Sequence, residues 1–115
     1  MNEKHLDFLC AVLITAVEGG INYWTSTISG YEYDQSNPMK YASANIHYER
    51  NEHIINPEVI EAGFRKIIED KNFQINGNIA KNIFYGYLMD DAGEIDDEMA
   101  DCIVQASIFG EIVYG

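Results

Sequence analysis

His47 and Glu49 stand two residues apart in a stretch that alternates apolar and polar residues. A strand would place the imidazole and the carboxylate on one face, where they could share acid–base work. A lone surface histidine is the commoner outcome. His5 and His53 lie apart and lack a ligand spacing such as HExxH. The chain has no phosphate loop, GxSxG elbow or CxxC pair. No catalytic residue is therefore assigned, the chain reads as a binder rather than an enzyme, and neither a cofactor nor a metal is expected.

A second group of candidates is acidic. Asp90, Asp91, Glu94, Asp96, Asp97, Glu98 and Asp101 fall within twelve residues, and no Lys or Arg follows Lys81. A calcium loop fails on spacing. With Gly93 as the loop glycine, Leu88 would hold the first ligand position and Met99 the last. Carboxylates on a helix can instead stand where nucleic-acid phosphates would, and dock in a basic protein groove. The plainer alternative is a solvated loop and an acidic helix start, which the helix dipole favours anyway.

A third group is aromatic. Asn22-Tyr23-Trp24 follows Gly19-Gly20, with Tyr31, Tyr33, Tyr41 and Tyr48 nearby. Tyr23 and Trp24 could stack on a base ring, with Arg50 and His47 toward its phosphate. Backbone N–H groups at helix starts would have to help, because cations are few. That combination describes a binder of a signalling nucleotide. Large aromatics more often fill a core, and Trp24 is expected to do so.

Composition narrows these readings. The 115 residues suit one domain, 1–115, able to bury a core. The formal charge of −12 repels nucleic acid and anionic membrane and favours basic surfaces. Cys10 and Cys102 read as buried thiols, with a disulfide between them left open. The apolar stretch Leu6 to Val17 is too short to span a bilayer and makes a weak leader, so a reducing cytosol is the expected compartment.

The elements that must position these residues follow from periodicity. Leu6, Leu9, Cys10, Leu13, Ala16 and Val17 recur at helical spacing, predicting a helix from Glu3 to Glu18 with Gly19-Gly20 as its left-handed cap. Ile21 to Tyr33 reads as extended, with a bulge or bend at Gly30. Asp34 to Lys40 is a loop. Tyr41 to Arg50 is a half-buried strand, with Ala42, Ala44, Ile46 and Tyr48 inward. Asn56-Pro57-Glu58 opens a helix to about Asp70 that buries Ile60, Phe64, Ile67 and Ile68 and turns Glu61 to water. A third helix, capped by Asn78, buries Ile79, Ile83, Phe84, Tyr87 and Leu88. A fourth starts near Ile95 or Asp96 and buries Met99, Cys102, Ile103 and Ala106. Glu111 to Gly115 could add a strand, and its Ile112-Val113-Tyr114 edge could pair copies of the chain. The fold class is α+β: a small antiparallel sheet packed against about four helices.

Val12 to Trp24, and Ala100 to Gly115, resemble the opening and the close of small accessory proteins encoded by bacteriophages and prophages. The two stretches cover about a quarter of the chain. The group supplies no activity from which catalytic residues could be carried over. The resemblance implies a phage setting, in which small acidic proteins commonly inhibit host defence by binding. The leading expectation is thus a phage-type inhibitor docking on a basic host protein through its acidic face. The nucleotide binder is second, and a small hydrolase built on His47 and Glu49 is third.

Overall fold

Four helix starts are set by side chains that satisfy otherwise unpaired backbone N–H groups. Asn2 accepts from the His5 amide at 2.8 Å and opens α1, Glu3–Thr15. Asn56 accepts from Val59 at 2.9 Å and opens α2, Pro57–Glu69, with Pro57 in the first turn. Asn76 accepts from Asn78 and Ile79 and opens α3, Gly77–Met89. The cap is therefore Asn76, two residues before the expected Asn78. Asp96 accepts from Met99 at 2.9 Å and opens α4, Asp97–Phe109, which ends at Gly110 with φ 74. The computed structural model describes residues 2–32 and 42–115. The loop expected at 34–40, and Tyr33 and Tyr41 beside it, lie outside the described residues.

The expected sheet forms, with one more strand than the periodicity indicated. β1 (Thr27–Glu32), β2 (Ser43–Tyr48) and β3 (Asn51–Ile55) pair antiparallel in that order. Ile28 pairs with Ile46, and the register slips between Ser29 and Glu32, where Gly30 has φ 59. Only glycine takes that conformation freely, which is why the bulge falls there. Ala44, Ile46 and Tyr48 point into the core while Ser43, Asn45 and His47 line the other face. β3 escaped the sequence reading because Asn51, Glu52, His53 and Ile54 are all exposed and carry no alternation. A two-residue turn, Glu49–Arg50, joins it to β2, with Glu49 in the left-handed region at φ 52.

The start of the chain also differs from expectation. α1 stops at Thr15 and passes into a π-helical turn, Ala16–Gly20, closed by the Ile21 amide donating to Ala16. Neither glycine of this turn is left-handed. They are small for another reason. A methyl on Gly20 would lie 2.6 Å from the Asp97 carbonyl oxygen, and one on Gly19 would lie 2.8 Å from the Asp97 carboxylate. The pair lets the start of α4 press against the turn. Ile21 to Trp24 then turn rather than extend, with Trp24 and Thr25 amides donating to Ile21.

The core joins Phe8, Leu9, Val12 and Leu13 of α1 to Ile60 and Phe64 of α2, Ile103 and Val104 of α4, and the inner face of β2. α3 contributes little: Ile83 is buried, but Phe84 and Leu88, expected inside, are exposed. α3 meets its neighbours on the Ile83–Gly86 side, where Gly86 sits under Ile95. The tail from Glu111 forms no strand. Among the described residues no helix is long and apolar enough to cross a membrane.

α2 and α4 approach each other closely at Gly63. A methyl at Gly63 would lie 2.1 Å from the Ile103 carbonyl oxygen. Alanine gains about 1 kcal/mol of helix propensity over glycine. Overpacking against backbone opposes that gain with about 3 kcal/mol. Gly63→Ala is therefore expected to lower stability by roughly 2 kcal/mol or more. Urea unfolding followed by far-ultraviolet circular dichroism checks this, and a stabilised variant would contradict the packing.

Candidate functional site

Asp101 and Gln105 lie one turn apart on α4, in a run otherwise apolar enough to be core, and both are buried. Buried polar groups need partners, and here they find each other, the turn after α1 and the tail. The Asp101 carboxylate accepts from Trp24 Nε1 at 2.7 Å, Gln105 Nε2 at 2.8 Å and the Tyr23 hydroxyl at 2.5 Å. Gln105 Oε1 accepts from the amides of Val113 and Tyr114, each at 2.8 Å, while its Nε2 donates to the Tyr114 carbonyl at 3.0 Å. The side-chain amide thus pairs with the tail as a neighbouring strand would. Tyr114 in turn stacks on Trp24, ring centres 5.1 Å apart and planes within 4°.

Beside this network lies a cavity of about 500 Å³. Tyr23, Ile75, Ile79, Ile112 and Tyr114 give it apolar and aromatic walls, and Gly19 and Gly20 leave room for it. Asp97 and Glu98, both exposed, stand on its wall, and among the described residues that line it there is no Lys, Arg or His. Cys102 also reaches it, but burial and then the charges of Asp101, Glu98 and Asp96 push its thiol up to about 11. A thiol protonated at neutral pH is a poor nucleophile. Burial and the bond to Asp101 push the Tyr23 phenol up to about 12, so it acts at neutral pH as a donor.

The acidic block does not form one outward face. Asp101 points inward and is withdrawn from the docking residues. Its helical position was right for a surface acid, but three donors inside the fold hold it there. Asp90 accepts from His5 Nδ1 at 2.5 Å. Asp91 accepts from the Gly93 amide, and Asp96 is the α4 cap. Asp91, Glu94, Asp96, Asp97 and Glu98 are all exposed, whereas Asp90 is half-buried and Asp101 buried.

The residues proposed for a nucleotide are not brought together. Trp24 is buried beneath Tyr114, and Tyr23 lies at the acidic cavity. His47 and Arg50 border a different groove, shared with Glu49 and Glu52, whose charges oppose a phosphate. Glu49 leaves the strand for the turn and accepts from the Tyr114 hydroxyl at 2.9 Å. His47 Nε2 lies 3.3 Å from Ser29 Oγ. The expected acid–base pair is thus divided between other partners. Among the described residues no group of His, Cys, Asp and Glu could hold a metal ion.

His5 forms a second cluster that spacing did not reveal. Its ring nitrogens meet Asp90 at 2.5 Å and Glu61 at 2.8 Å, and Tyr87 donates to Glu61 at 2.7 Å. Glu61, expected in water, is thereby drawn inward. Burial alone would lower the His5 pKa, but hydrogen bonds and charge from Asp90 and Glu61 outweigh it and raise the value. Both ring nitrogens donate only when the ring is protonated. A raised folded pKa adds stability that is complete below about 6.5, the ordinary value, and is lost as pH rises through the raised one. The stability gap between the native chain and His5→Ala is expected to be widest in mildly acidic buffer and to shrink at alkaline pH. A gap that widens with pH would contradict this.

Asp101→Ala leaves the Trp24 and Gln105 donors short of an acceptor inside the fold. A loss of about 3–5 kcal/mol is expected. Guanidinium unfolding measures it, and a loss below about 1 kcal/mol, the size of a surface ion pair, would remove Asp101 from the centre of the network.

No protein-family model matches this chain, and no curated protein and no solved structure matches it either.

Proposed function

We propose that the chain is a non-enzymatic binding protein whose acid-flanked cavity receives a cationic side chain with an apolar stem, presented by a basic protein surface. The observation that carries this is the wall itself: apolar and aromatic residues with Asp97 and Glu98 among them, and no Lys, Arg or His among the described lining residues. An arginine or lysine suits such a wall, because its stem packs on Tyr23, Ile79 and Ile112 while its charged head reaches a carboxylate. The overall charge of −12 steers a basic partner toward the chain and speeds encounter at low salt. The resemblance to phage accessory proteins supplies a setting, a host defence protein as the partner. The same walls disfavour a nucleotide, since its phosphates would meet carboxylates.

The test uses a short peptide with one arginine between two leucines, titrated by calorimetry at two salt concentrations. Binding is expected to weaken with salt. Asp97→Lys combined with Glu98→Lys is expected to reduce affinity at least about tenfold, or ~1.4 kcal/mol. Both side chains are exposed, so the variant is expected to fold, with about 1–2 kcal/mol of stability lost because cations replace acids in the first turn of α4. Unchanged affinity in that variant would sink the proposal. A nucleotide that raises the melting temperature while the peptide does not would favour the sequestration reading.

A further inference from the structure

We propose that the outer face of α3 is the surface through which two copies of this chain associate, with their α3 helices antiparallel. Phe84, Tyr85, Leu88 and Met89 are 49%, 50%, 65% and 51% exposed. Their spacing places them on neighbouring positions of one helix surface. An exposed apolar stripe of this kind marks an interaction surface.

The charge pattern selects the occupant. The protein carries 19 acidic residues, yet α3 contains none and has Lys81 as its single charged side chain. A basic partner finds nothing to recognise there. A second copy, repelled over the acidic remainder of the surface, meets a neutral face on this helix. Direction follows from the same pattern. Lys81 lies toward the start of α3, and Asp90 and Asp91 follow its end. A parallel pairing would set the acidic ends side by side. An antiparallel pairing, crossing between Tyr85 and Leu88, puts each Lys81 about 8 Å from the centre, near the second copy's acidic end.

Size sets the strength. Half-exposed aromatic and large aliphatic side chains offer on the order of 100 Å² each, so the four from both copies bury roughly 800 Å². That is the range of weak, reversible contacts. The dimer should therefore form at high micromolar concentration and dissociate on dilution. It does not depend on the cavity proposed to bind a cation.

Sedimentation velocity over a dilution series from millimolar to low micromolar tests this. The native chain is expected to shift from twice the chain mass toward one. Leu88→Glu is expected to stay monomeric throughout with an unchanged circular dichroism spectrum, since the side chain is exposed. Lys81→Glu is expected to weaken association several-fold without abolishing it. A native chain that is monomeric at millimolar concentration overturns the proposal. So does a dimer that survives Leu88→Glu unchanged.

Discussion

A carboxylate placed in a core must be given donors, and in this chain Asp101 obtains them from its own helix and from the turn after α1. Trp24 and Tyr23 come from the turn that follows α1, and Gln105 comes from the next turn of the same helix. Gln105 then hands the constraint on to the tail through Val113 and Tyr114. Two residues on one helix therefore bind the turn after α1 to the tail. The aromatic stack over them completes the shield, because Trp24, Tyr48, Phe109 and Tyr114 lie against one another. Stripped of water, these bonds are strong when complete and costly when one is missing.

The cavity is a by-product of the same constraint. Tyr23 lines it with its hydroxyl held on Asp101, and Tyr114 lines it with its backbone held on Gln105. Gly19 and Gly20 bring α4 close enough for Asp97 and Glu98 to share the wall. The cavity is thus positioned by the buried polar pair Asp101 and Gln105, and its two exposed acids are carried on the first turn of the same helix.

Much of the fold was legible because it rests on local rules. Asn56-Pro57 and Asp96 mark helix starts by capping, and the alternation from Ala42 to Tyr48 marks the central strand and its inner face. What was not legible depends on tertiary partners. β3 has no inward-facing row to read. Gly19-Gly20 looks like a helix stop and serves instead as a point of close approach. Phe84 and Leu88 have a core pattern but no core opposite them. The site was half legible. Asp97, Glu98 and Tyr23 were among the candidates, while the division of the acids into inward and outward groups needed the positions of His5, Trp24 and Gln105. A polar Gln105 within an apolar helical run was the one available signal, and period alone gives no meaning to a single exception.

The placement of Trp24 gives the molecule an optical property. It is the sole tryptophan, its indole N–H rests on a charged oxygen, and its ring lies flat on a residue that also walls the cavity. Indole emission responds to polarity and to charge beside the ring. Whatever enters the cavity and disturbs Tyr23 or Tyr114 is therefore one contact away from a fluorophore already in place, and the chain carries its own reporter of occupancy.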